Sequence, residues 1–180
     1  MSGTPNNVTA GPGWLFVAPY LDTLPAFPTD VTTPLGTTYV PVGYTEEGNT
    51  FSYAVTREDL LVAEEVSPVK SYTTKVDTKV TFSMAEATAA NLILALNGGV
   101  VATPTEVEPP ALGAEQYVTL VLDTDSGARW LFRKCIQTGT VEIGHKKAPA
   151  KTLIPVEFTV YVPSAELALF TVFLGTDGLV

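Results

Sequence analysis

The chain has 180 residues, 46% of them hydrophobic and only 16% charged, with a formal net charge of -9. That length fits one domain with a sizeable core, and so acidic a chain is not one that wraps DNA by neutralising phosphates. A single cysteine, Cys135, excludes an intrachain disulfide, and the low charged fraction suits a surface buried in part against other copies.

Residues 1–12 are polar and carry Gly and Pro, and read as a flexible arm on a single domain spanning 1–180. They hold neither a basic n-region nor an apolar h-region, which argues against a secretory signal. Gly13-Trp14-Leu15-Phe16-Val17-Ala18-Pro19 is an apolar run between breakers and predicts a buried strand. Residues 20–38 hold Pro25, Pro28 and Pro34 among Thr and Asp and predict a long loop, the kind that usually has a job or is disordered. Residues 39–44 read as extended and Thr45-Glu46-Glu47-Gly48-Asn49 as a turn.

Phe51, Tyr53 and Val55 then alternate onto one strand face. Extended segments over 59–66 and 71–82 follow around Pro68, the second with Val76, Val80 and Phe82 on one face and Asp77, Lys79 and Thr81 on the other. At residue 83 the period changes. Ser83-Met84-Ala85-Glu86 has the form of a capping box, and Ala85, Ala89, Leu92, Ile93 and Leu96 would share one face of a helix over about 84–97. Asn97-Gly98-Gly99 would stop it.

Residues 100–114, with Pro104 and Pro109-Pro110, read as loop. Strands over 117–122 and 129–136 around Asp123-Thr124-Asp125-Ser126-Gly127 predict a hairpin. A short strand over 139–143, a basic loop over 145–151 and an alternating strand over 153–162 come next, with Val156, Phe158, Val160 and Val162 inward. Residues 167–174 are apolar on both faces and predict a central or covered strand. The expected fold is mainly β, a β-sandwich or partly open barrel with one flanking helix. No apolar stretch is long enough to cross a bilayer.

The chemical motifs are weak. An EF-hand starting at Asp123 would need Gly sixth and an acid twelfth, where Ala128 and Lys134 stand. Cys135 and His145 are the only thiol and imidazole. Cys135 sits in a strand and reads as a buried, inert thiol, and no third group orients a Cys–His pair. Zinc is not expected from so few ligands. Glu46-Glu47 and Glu64-Glu65 are strand or turn neighbours that point apart and form no acid–base couple. No phosphate-binding Gly-rich motif is present, so no catalytic residue, cofactor or metal is expected. Arg129, Arg133, Lys134, Lys146, Lys147 and Lys151 make 129–151 basic. In an acidic chain that stretch suits an acidic patch on a neighbouring copy, or is simply a solvated surface.

Several phrases, in order, resemble the major tail proteins that form the tube of long, non-contractile phage tails. They are the Gly13 to Pro19 run, Pro28-Thr29-Asp30, Val42-Gly43-Tyr44-Thr45-Glu46-Glu47-Gly48, Val80-Thr81-Phe82-Ser83-Met84-Ala85-Glu86-Ala87-Thr88, Gly139-Thr140-Val141 and Pro155-Val156-Glu157-Phe158-Thr159-Val160-Tyr161. The resemblance implies a β-sandwich with a flanking helix that assembles as stacked hexameric rings, the sheets joining into one barrel around a lumen. DNA would transit that lumen without specific binding. The tube would form around a tape-measure protein and meet terminator and tail-tip proteins, in a virion tail made in the host cytoplasm. The segment 58–74 resembles the family's long inter-ring hairpin, which nominates Glu58, Asp59, Glu64, Glu65, Pro68, Lys70 and Tyr72 for ring stacking, with Arg133, Lys134, Lys146, Lys147 and Lys151 as the inter-subunit basic patch. An alternative reading is a β-sandwich binding module of a virion surface or adhesin that recognises glycan or a cell surface, motivated by the 20–38 loop. A carboxylate hydrolase has no motif in its favour.

Overall fold

A computed structural model describes residues 13–20, 27–65, 67–103, 106–125, 127–164 and 167–175. The arm expected over residues 1–12 lies outside them. The described chain forms β1 (Gly13–Pro19), β2 (Val40–Pro41), β3 (Thr45–Leu60), β4 (Lys70–Met84), α1 (Ala89–Ala95), β5 (Val100–Thr103), β6 (Glu106–Glu108), β7 (Val118–Thr124), β8 (Ala128–Gln137), β9 (Ile154–Val160) and β10 (Phe170–Leu174).

Eight strands make one antiparallel sheet in the order β2-β1-β7-β8-β9-β4-β3, with β10 also paired to β8. The ten residues of β8 take two partners end to end on one side: Ala128–Phe132 pairs with β10 and Cys135–Gln137 with β9. The sheet curls. Phe51 on the edge strand β3 lies 5.1 Å from the Trp130 ring and 5.6 Å from that of Phe132, although β9 and β4 stand between β3 and β8 in the ladder order. Phe170 of β10 closes the same aromatic group, 5.1 Å from Phe51. The result is an open half-barrel, the barrel form of the expected fold, with β5–β6 as a separate two-stranded ribbon.

The core fills the concave side. Val80, Phe82 and Met84 of β4, Ile154, Val156 and Phe158 of β9, and Phe132 and Cys135 of β8 are all buried. Phe82 and Phe158 stack at 5.7 Å. The alternation predicted for β4 and β9 holds along this face, except that β9 ends at Val160 and leaves Val162 exposed. The run 13–19 is a strand, but only partly buried. The sheet covers one of its faces, so Leu15 and Ala18 are buried while Trp14 is 56% exposed.

The helix starts later than the capping box predicts. Ser83 and Met84 pair with Pro155 and Ile154 as the last residues of β4, so the ladder takes the residues that local sequence offers to a helix. The N-cap is Thr88, whose side chain accepts from the Asn91 amide at 3.2 Å. Glu86 does not reach back to Ser83. Its carboxylate accepts the Tyr44 amide at 3.0 Å, above Gly43, where φ is +89° and a Cβ would lie 2.6 Å from that carboxylate. The buried face is Asn91, Leu94 and Ala95 and not the predicted stripe, of which Leu92 and Ile93 are half-buried and Ala89 and Leu96 exposed. Asn91 is tolerated there because its amide donates to the carbonyls of Val42 and Glu86.

The helix ends where predicted. Asn97 takes the left-handed conformation (φ 61°), and the Gly98 amide returns to the Ile93 carbonyl at 2.8 Å. A glycine would adopt that backbone as readily, but Asn97 also exchanges both side-chain hydrogen bonds with the backbone of Gln137, at 2.6 and 2.7 Å. It ties the helix to the end of β8.

Three further local expectations are corrected. The turn over 45–49 is a β-bulge inside β3, with Gly48 at φ +78°. The loop over 100–114 contains the β5–β6 ribbon. Such short strands carry too little alternation to be read. The strand over 139–143 is absent, because the β9 edge at Glu157 is met only by the Thr138 and Gly139 amides before the chain leaves. The last strand is Phe170–Leu174, and it is neither central nor fully covered. It pairs with β8 alone and is half-buried.

Candidate assembly surface

The longest ladder in the molecule joins β3 to β4, from Thr45↔Met84 to Leu60↔Lys70. Strand β9 supports β4 only over Lys79–Met84. Beyond that, Lys70–Val76 with its partners in β3 runs free as a two-stranded ribbon of roughly 20–25 Å, at about 3.3 Å per residue. Every described residue of β4 from Lys70 to Val76 is exposed, and so is every one of β3 from Ser52 to Leu60. A second bulge, at Thr56/Arg57, interrupts the register. It puts Tyr72 opposite Glu58, and Lys70 lies over the Tyr72 ring at 4.9 Å.

All seven residues nominated for ring stacking, Glu58, Asp59, Glu64, Glu65, Pro68, Lys70 and Tyr72, lie in this outer half and are exposed. They are accompanied by apolar side chains that the nomination did not include. Leu61 is 65% exposed and Val69 57%, and Tyr53, Val55, Leu60 and Val76 are exposed as well. The ribbon presents these apolar groups to water, and among the described residues the outer edge of β3 is unpaired, which makes it the candidate interaction surface.

The five residues of the basic patch fall into two settings. A bulge opposite Thr119 lets β8 keep both Phe132 and Cys135 in the core, so Arg133 and Lys134 both stay outside it. Arg133 donates to the Ala168 carbonyl and to the Thr171 hydroxyl, both at 2.7 Å, and lies over Phe27. Its partial burial lowers the guanidinium pKa. Lys134 lies over the rings of Tyr117 and Tyr20, at 4.6 and 5.2 Å. These two hold β8 against its surroundings. In the 145–151 loop, Lys151 pairs with Glu46 at 2.6 Å, while Lys146 and Lys147 are exposed and form no ion pair among the described residues.

Sequence reasoning placed Arg129 in the basic stretch without seeing its role. It is 5% exposed. Its guanidinium grips Asp123 with two bonds of 2.6 and 2.8 Å and donates to the carbonyls of Asp30 and Thr33. The loop 27–39 is thereby clamped to the β7–β8 hairpin. Asp30 organises the loop from within: its carboxylate accepts from the amides and hydroxyls of Thr32 and Thr33. Those bonds, the Thr33 amide first, hold the Asp30 carboxyl well below the usual carboxylate range.

The chemical motifs are placed apart. Cys135 is fully buried, burial pushes its thiol pKa up, and its hydrogen bond goes to the Phe132 carbonyl. His145 lies exposed in its loop. Asp123 is taken by Arg129, and no cluster of three or more metal-ligating side chains occurs among the described residues. No described helix is long and apolar enough to cross a membrane.

Two solved structures resemble this one over nearly its whole length. A chain of the 6-fold symmetrised cryo-EM structure of the anti-feeding prophage baseplate matches 96% of this chain with 97% of its own, at 9% identity and a TM-score of 0.49. A crystal structure of an Hcp protein matches 91% of this chain with 98% of its own, at 11% identity and a TM-score of 0.34. Neither score carries an argument about function. No curated protein sequence matches. The family model for phage tail tube proteins matches residues 1–177.

Proposed function

The chain belongs to the phage tail tube protein family, and from that premise we propose that it is the non-enzymatic structural subunit of a tail tube, assembling as stacked hexameric rings. The match over residues 1–177 carries this reading. The geometry supports it in two ways. Among the described residues, strand β3 ends the sheet with its outer edge unpaired, and β2 ends the other side with two residues. A neighbour's sheet edge would cover both, and closure into a ring removes edges altogether. The β3–β4 ribbon offers apolar side chains that the subunit's own core leaves uncovered.

In this reading the whole chain 1–180 acts as one domain. Residues 1–12 and the ribbon serve assembly, and the ribbon residues Glu58, Asp59, Glu64, Glu65, Pro68, Lys70 and Tyr72 contact the next ring. The tube surrounds a tape-measure protein, is finished by terminator and tail-tip proteins, and becomes part of the virion after synthesis in the host cytoplasm. DNA passes through the lumen without specific binding. The face of β4 and β9 turned from the core suits such passage. Its charges are matched, Lys75 with Asp77 at 2.6 Å and Lys79 with Glu157 at 2.7 Å, leaving little free cation to hold phosphates.

Negative-stain electron microscopy of the purified protein across a concentration series tests this. Rings or tubes with a central channel are expected. Monodisperse small particles at every concentration, with and without the tape-measure protein, would overturn it.

A further inference from the structure

The two ends of the β3–β4 ladder differ in charge and shape. At the tip, residues 57–70 carry Glu58, Asp59, Glu64 and Glu65 against Arg57 and Lys70, beside the exposed Leu61 and Val62. At the base, where Thr45 meets Met84, the ends of β4 and β9 and the β8–β9 loop enclose a recess of about 470 Å³. A recess of that size admits side chains as well as water. Ile143, Leu153 and Pro155 give it apolar walls, and Lys146 and Glu142 line it. Lys146 and Lys147 are exposed here and form no ion pair among the described residues, while Glu46, opposite Ser83, is taken by Lys151 and Glu86 by the Tyr44 amide, which leaves Glu142 as the carboxylate of the lining. An acidic apolar tip and a recess with apolar walls and two uncommitted lysines thus stand at opposite ends of one ladder.

Complementary patches at opposite ends of a subunit make a heterologous, head-to-tail contact, which repeats as an open stack when its rotation does not close a ring. We infer that the ribbon tip of one copy seats in the β8–β9 recess of the next copy along the strand direction. Leu61 and Val62 enter between Ile143 and Leu153, and Glu64 and Glu65 face Lys146 and Lys147. This rests on the tube reading and names the receptor it lacks. The apolar insertion supplies affinity and the charges supply register and direction.

Charge reversal tests the pairing. K146E/K147E and E64K/E65K change only exposed residues, and circular dichroism should show both variants folded. Each should raise the critical concentration for tube growth about tenfold or more, because like charges meet at the contact. The quadruple variant, with both ends reversed, should return to near the wild-type value. A cysteine pair, Glu65→Cys with Lys146→Cys, should give a ladder of disulfide-linked subunits when assembled tubes are oxidised. If the unmodified protein forms tubes but the reversals leave growth unchanged, or the quadruple variant stays as defective as its parents and the cysteine pair gives no ladder, this contact is wrong while the tube reading stands. If the unmodified protein forms no tubes, the tube reading falls and takes the contact with it.

Discussion

Strand β4 passes through two environments. From Thr78 to Met84 its inward side chains are almost wholly buried under β9 and the aromatic group; from Lys70 to Val76 every residue is exposed. Its ladder partner, β3, is the same throughout. Pairing with β3 therefore does not account for the difference. What changes is the other edge of β4, which β9 pairs only over Lys79–Met84, and the packed core that ends with it. The body is a folding unit with its own core, and the ribbon is a surface whose apolar groups no described residue buries.

Paired substitutions on that one strand should separate the two roles most sharply. Phe82→Ala should cost about 3–5 kcal/mol of unfolding free energy in urea melts. Tyr72→Ala should change it by no more than about 0.5 kcal/mol while weakening assembly in sedimentation. A large folding defect from Tyr72→Ala would erase the distinction between body and ribbon. Next in size, Arg129→Leu should cost about 2–3 kcal/mol, because it leaves Asp123 and two loop carbonyls without their donor. Heteronuclear NMR should show the 27–39 loop loosened while the ribbon is unaffected. Asn97→Ala should cost about 2 kcal/mol from lost hydrogen bonds and left-handed strain, and Asn97→Gly about 1 kcal/mol, since glycine relieves only the strain.

The smallest effect is a pH dependence confined to the body. The folded-state pKa of Asp30 is depressed from an ordinary value of 3.8. Its stabilisation is therefore complete above that value and is lost as pH falls below it toward the folded-state pKa. Asp30→Asn should flatten the acid limb of the stability–pH curve below pH 3.8 and leave the neutral region level, as measured by thermal melts across pH.

Much of this division was legible in the residues. The alternation of Val80 and Phe82 and the hairpin around Asp123 to Gly127 follow local rules, and their predicted places hold, while the outer segment 58–74 was marked by the family resemblance. Apart from the short β5–β6 ribbon and the bulge at 45–49, the misreadings share one cause, which is pairing with residues far away in the chain. Ser83 to Glu86 has a helix-starting pattern, yet Ile154 and Pro155 claim Ser83 and Met84 as strand, and Tyr44 claims Glu86. Arg129 looks like its basic neighbours, and only the return of the loop at Asp30 and Thr33 makes it a buried clamp. Asn91 carries no mark of burial until Val42 arrives to accept its amide. Within the assembly surface, the acids of the tip were visible as a segment. The split of the basic residues was not, because a bulge in β8 and two tyrosine rings decide it.

The ribbon also has a mechanical meaning. Two strands without a covering layer, interrupted by a bulge at Thr56/Arg57, are far more compliant than an eight-stranded curled sheet filled with packed aromatics. When such subunits are joined through their ribbons, an applied bend is taken up as small changes of twist in the ribbons, and the cores keep their shape. The tube would flex as a chain of stiff links joined by springs, its bore held constant while its axis curves.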